Sequence, residues 1–166
     1  VFYIEKHIAD DVRAAGRAAV KSFGVKSRFV HFEFFRLTQD HAYLGKKGRI
    51  IGLEVNYRPS GGFTPDMINY ACSTDVYKDW ADMVAFDRLT RADYPDKYYC
   101  VSAGCRKEKH YLHSYEEVMA EYKDDIMMTT ELPEVLASAM GDRLYLARFP
   151  EKEAMDAFIS YVFATA

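Results

Sequence analysis

The stretch Gly48 to Gly62, GRIIGLEVNYRPSGG, decides how this chain reads, together with Phe29 to Leu37, FVHFEFFRL, upstream of it. Alternate residues of a β-strand share a face, so Glu54, Asn56 and Arg58 project to one side and Leu53, Val55 and Tyr57 to the other. The upstream segment alternates in the same way. Val30, Phe32 and Phe34 take one face, and Glu33, flanked by His31 and Phe35, takes the opposite one. Paired as a hairpin across the polar loop Thr38 to Lys47, the two strands set Glu33 against Glu54 or Asn56. Two carboxylates, an amide oxygen and a guanidinium then share one surface.

Carboxylate and amide oxygens are hard ligands suited to Mg²⁺ or Mn²⁺, and Mg²⁺ commonly binds through a few carboxylates plus the phosphates of a substrate. Arg58 adds a planar fork for a phosphate or carboxylate at the same metal. Phe35, on the face of Glu33, reads either as a floor for adenine or as ordinary sheet packing. On spacing alone the whole set also describes the solvent side of any half-buried strand. Asn is poor in strands, however, so its place at the end of a Val-flanked run asks for a reason.

Phe32 to Phe34 as Phe-Glu-Phe, then Glu54, Asn56 and Arg58 as Glu-x-Asn-x-Arg, then Gly61 and Gly62, resemble the ATP-grasp superfamily. The similarity is to its carbamoyl phosphate synthetase and biotin carboxylase branch. It is dense from about Ala9 to Val84, over HFEFFR, GLEVNYRPSGGFTPDMINYA and STDVYKDWADMV, and thins beyond. The resemblance implies that Glu33 and Glu54 bridge metal ions, that Asn56 is a further metal ligand, and that Arg58 steadies an acyl phosphate or its transition state. It implies a ligase that uses ATP and Mg²⁺ or Mn²⁺ to activate a small carboxylate for attack by an amine, ammonia or a similar nucleophile. Members of the superfamily place a preceding part, with lysines that hold ATP, before this point. The expectation is therefore a single domain, 1–166, forming the C-terminal half of an ATP-grasp fold and inactive alone. Its partners would be the N-terminal part of the same protein or a second copy covering the surface between them.

Composition bounds the alternatives. With 166 residues, 49% of them hydrophobic and 15% aromatic, the chain can bury a core, which excludes disordered and collagen-like classes. A net charge of -3 gives no general attraction to nucleic acid, and the longest basic cluster is Lys46, Lys47 and Arg49. No apolar run approaches a membrane span and no signal-peptide pattern opens the chain, so a cytoplasmic protein without membrane contact is the expectation. The 13 Tyr and 11 Phe also suit a non-catalytic interaction or scaffold module that keeps the same fold.

Local signals lay out an α+β domain, an antiparallel sheet with helices on one side. A strand is expected at Phe2 to Ile4 and a helix from Ala9 to Phe23, ended by Gly24. Strands follow at Arg28 to Thr38 and Arg49 to Tyr57. Thr64, Pro65 and Asp66 start a helix to about Cys72, and Ser73 to Asp75 start another to about Phe86. Asp93 to Asp96 reads as a turn. Lys97 to Gly104 and His110 to Leu112 read as strands around the turn Arg106 to Lys109. Ser114 and Glu117 form a capping box for a helix ending near Tyr122. Strands at Asp125 to Glu131 and Arg143 to Phe149 precede a terminal helix from Glu151 to Phe163.

Other candidates divide between chemistry and structure. His31 is either a ligand or a satisfied structural histidine. Gly61 and Gly62 either admit a phosphate to a helix N-terminus or only permit the turn. Cys100, Cys105, His110 and His113 are possible zinc donors by type, but their spacing matches no Cys-x-x-Cys pattern. Three cysteines in all suggest reduced thiols. Walker A, dinucleotide-binding and Gly-x-Ser-x-Gly motifs are absent from the sequence.

Overall fold

The computed structural model describes residues 1–88, 90 and 97–165. In chain order its elements are β1 (Phe2–Ile4), α1 (Asp10–Ser22), β2 (His31–Arg36), β3 (Ile50–Asn56), α2 (Thr64–Cys72), α3 (Val76–Phe86), β4 (Tyr99–Cys105), α4 (Tyr115–Glu121), β5 (Ile126–Glu131), α5 (Glu134–Met140), β6 (Arg143–Phe149) and α6 (Lys152–Val162). The turn expected at Asp93 to Asp96 lies outside the described residues. All strand pairs are antiparallel, in a four-stranded sheet of order β1-β4-β6-β5 and a two-stranded sheet β2-β3. This is the expected α+β class, with its strands divided between two compact units.

The first unit comprises Val1–Lys6, Asp66–Asp75 and the described part of Asp93–Ala166. Val101 and Ala103 of β4 and Tyr145, Ala147 and Phe149 of β6 alternate onto one face, where they are buried with Val118 of α4 and with Met155, Phe158 and Val162 of α6. The α6 residues recur at helical spacing, so one stripe of that helix lies on the sheet. Removing each large apolar side chain from water contributes about 1.5–3 kcal/mol. Cys100, Leu144 and Leu146 point the other way and are buried as well, so these strands read as apolar runs rather than alternating ones.

Capping sets the helix boundaries of this unit. The Ser114 hydroxyl accepts from the Glu117 N–H at 3.2 Å and the Glu117 carboxylate accepts from the Ser114 N–H at 2.8 Å, closing the expected capping box of α4. Helix α5 was not expected from the sequence. Its signals are Pro133 before the first turn and Gly141 after the last, the latter at φ 91°.

The strand expected at His110 to Leu112 does not form. Tyr111 makes a single bridge to Thr165, and the Leu112 N–H donates to the Ala164 carbonyl at 2.7 Å. The turn before it exists, with Lys109 N–H donating to Arg106 at 3.1 Å. Both edges of β4 are taken, by β6 along its whole length and by β1. The seven-residue ladder with β6 holds one edge, and β1, no longer than 110–112, already holds the other.

The second unit comprises His7–Pro65 and, beyond the first unit's middle segment, α3 with the described residues that follow it. Helix α1 lies against β3 and ends where Gly24 takes φ 60°, the left-handed conformation that closes a helix. Asp11 in its first turn holds Arg36 of β2 through two hydrogen bonds of 2.6 and 2.9 Å. The Tyr57 hydroxyl donates to the Phe23 carbonyl at 3.2 Å. Within the 37–49 loop Asp40 accepts from Lys46 Nζ at 2.7 Å and from the Lys47 N–H at 2.9 Å. The Leu37 N–H then donates to the Arg49 carbonyl at 3.0 Å, continuing the ladder of β2 and β3. The long connection is thus folded on itself and delivers the two strands in register.

Candidate functional site

The β2-β3 register pairs Glu33 with Glu54 and His31 with Asn56. These four residues therefore occupy one face of the hairpin, two facing two. Between Glu33 and Phe34 the register shifts: Phe34 pairs with Gly52, which leaves Leu53 as the extra residue of a β-bulge. The bulge explains why Leu53, expected on the packed side, is 56% exposed. Behind the polar face Phe32 and Phe34 sit with ring centres 6.2 Å apart.

Electrostatically the face is acidic at its centre and polar at its end. The Glu33 side chain is 41% exposed and its Oε1 lies 3.7 Å from Nε2 of His31. Nδ1 of His31 and Nδ2 of Asn56 are buried without a hydrogen-bond partner. Buried polar atoms are nearly always paired, and these two orphans lie on cross-strand neighbours. Among the described residues no group of three or more His, Cys, Asp or Glu side chains is placed to hold a metal ion. The donor set here is two carboxylates with Asn56 beside them, which fits a Mg²⁺ ion that takes its other ligands from substrate phosphates and water. Phe35, across from Ile51, is 57% exposed.

Arg58 lies beyond the end of β3, where its Nη1 donates to the Pro59 carbonyl at 3.0 Å. It lines a cleft of about 580 Å³ with Arg28, Phe29, Tyr57, Trp80 and Asp87, whose walls do not include Glu33, Glu54 or Asn56. The structure thus brings the two glutamates, Asn56 and His31 together and sets Arg58 in a neighbouring cleft of the same unit. Sequence reasoning did not single out Arg28 and Trp80, which line this cleft. Arg28 borders Phe29 to Leu37 and Trp80 lies within STDVYKDWADMV, but no periodicity connects α3 to the hairpin. After Arg58 the chain turns at Gly62, whose φ of 59° favours glycine, before α2 begins.

The cysteine and histidine cluster weighed for zinc has no such geometry. Burial pushes the Cys100 thiol up to about 12 and the Cys105 thiol up to about 11, so neither is a ready thiolate. His113 stacks on Tyr161 with ring centres 3.6 Å apart.

No family model matches the sequence, and no curated protein matches it. Among solved structures the chain is similar to phosphoribosylglycinamide synthetase from Anaerococcus prevotii, with a TM-score of 0.60 and 13% sequence identity over 96% of this chain. The match spans 42% of the synthetase chain, less than half its length. At that identity the likeness is one of fold: the chain has the fold of part of that synthetase.

Proposed function

We propose that this chain supplies the metal- and phosphate-binding part of an ATP-dependent ligase of ATP-grasp type. In this reading Glu33, Glu54 and Asn56 hold Mg²⁺ or Mn²⁺ on the phosphates of ATP, with Phe35 against the adenine. Arg58 holds the carboxylate as it becomes an acyl phosphate, which an amine, ammonia or a similar nucleophile then attacks. The observation that carries the reading is the pairing of Glu33 with Glu54 beside the orphaned polar atoms of His31 and Asn56. The similarity in fold to a synthetase supports it. The carbamoyl phosphate synthetase and biotin carboxylase branch rests on Glu-x-Asn-x-Arg at Glu54 to Arg58.

Bound cations offset the charge of the two glutamates and of the phosphates, so positioning and electrostatic stabilisation are the work expected of such a site. The test is thermal melting of the protein that carries this chain, with and without ATP and Mg²⁺. An ADP-release screen with carboxylic acids and amines accompanies it. A rise in melting temperature that needs both ATP and metal, and is lost in Glu54→Gln, is expected. A melting temperature indifferent to ATP and metal would instead identify a scaffold module that keeps only the fold.

A further inference from the structure

The cleft that contains Arg58 points to the class of acid the site takes, an inference that rests on the ligase reading. Its volume of about 580 Å³ falls within the range of pockets that enclose whole organic ligands and far exceeds what an inorganic anion or a two-carbon acid fills. Two guanidinium groups, Arg28 and Arg58, line it with one carboxylate, Asp87, a balance of one positive charge that suits a monoanion. The remaining wall is mostly apolar, with the aromatic Phe29, Tyr57 and Trp80 beside Pro59, Met83 and Val84. Tyr57 and Trp80 are about half exposed, at 48% and 47%, so part of each residue is open to a partner. Aromatic faces favour flat π-systems, and guanidinium forks favour carboxylates.

A further observation marks the cleft. Whereas the φ of 54° at Asp87 closes α3, Ser27 lines the cleft with φ of 47°, in the left-handed region that non-glycine residues seldom adopt. Such positions cluster at ligand sites, where the surroundings hold them in place.

We infer that the carboxylate substrate is an aromatic acid, its carboxylate held by Arg28 and Arg58 and its ring packed against Trp80, Tyr57 and Phe29. Arg28 is then a specificity residue with a role separate from that of Arg58.

Trp80 is the only tryptophan in the chain, so its fluorescence reports on the cleft without any need for ATP. The experiment titrates the protein with 3-phenylpropanoate, and in parallel with propanoate and 3-phenylpropanamide, following Trp80 emission. A saturable change is expected with 3-phenylpropanoate, and affinity at least about tenfold weaker for the other two. Arg28→Gln, an exposed position, should weaken 3-phenylpropanoate by about tenfold while circular dichroism and melting temperature stay as in the parent. Equal response to propanoate, no response, or an unchanged affinity in Arg28→Gln overturns the inference. The ligase reading fails separately. Binding of 3-phenylpropanoate without ADP release in the presence of ATP, Mg²⁺ and an amine sinks the ligase and leaves an aromatic-acid site. ADP release driven by propanoate, with Trp80 silent towards 3-phenylpropanoate, sinks the inference and leaves the ligase.

Discussion

At the scale of single residues, Glu33 and Glu54 are the pair whose charges oppose each other across the hairpin. Like charges directly opposite on neighbouring strands are destabilising. Glu33→Gln should therefore stabilise the metal-free chain by about 0.5 kcal/mol at about pH 8. Added Mg²⁺ should raise the melting temperature of the parent more than that of the variant, because only a ligand of the folded state stabilises by mass action. Denaturant melts with and without Mg²⁺ decide it, and equal metal response in both proteins separates the glutamates from any metal site. Arg58→Lys should lower turnover of the proposed ligase by roughly 10–100-fold while ATP affinity changes by under about threefold, since a point charge does not replace a planar fork. Asp11 makes a pH prediction. The Arg36 guanidinium holds its carboxyl down from 3.8 to about 2. A depressed carboxyl contributes stability that is present above its unfolded value and lost as pH falls through the folded one. The stability deficit of Asp11→Asn should thus be constant above about pH 4 and shrink between about pH 4 and 2, in melts of both proteins across that range.

At the scale of elements, caps and close approaches decide where chains stop and cross. Ser114→Ala removes one half of the capping box at α4 and should cost about 1 kcal/mol. Gly104 of β4 runs against the end of α5, where an added Cβ would overlap the Met140 carbonyl. Gly104→Ala should cost about 2–3 kcal/mol in urea melts, because backbone atoms on both sides must shift to admit the methyl group. A loss below about 0.5 kcal/mol would mean that α5 moves away freely. The capping box was legible in the sequence because its two residues are three apart and act locally. The crossing of Gly104 with Met140 was not, since nothing near Gly104 in the chain names the helix it meets.

Across the whole molecule the two units differ in how much they bury. Nearly all fully buried apolar side chains, among them Val101, Leu146, Phe149 and Phe158, belong to the unit of the four-stranded sheet. In the hairpin unit Phe35, Leu53, Tyr57, Trp80, Val84 and Phe86 remain exposed. Local opening free energy follows buried apolar contact. Amide hydrogen exchange should therefore be slower along β4 and β6 than along β2 and β3, by about a hundredfold or more. ATP with Mg²⁺ should slow exchange in β2 and β3 selectively. Uniform protection before ligand is added would contradict the division. No helix among the described residues is long and apolar enough to cross a membrane.

The sequence by itself determined the period-two faces of β2 and β3, the starts of α2 and α4, the glycine end of α1 and the terminal helix. Each of these depends on residues within one or two turns of each other, or on alternation along one strand. Only the tertiary structure decided that β4 pairs with β6 and β1 instead of with 110–112, because strand pairing is set by residues far away in the chain. Only it placed the bulge at Leu53, and only it parted Arg58 from Glu54 and Asn56 to stand with Trp80. Alternation holds only while the strand continues without a bulge. Beyond Asn56 the strand ends, and the direction of the next side chain is set by what packs beside it.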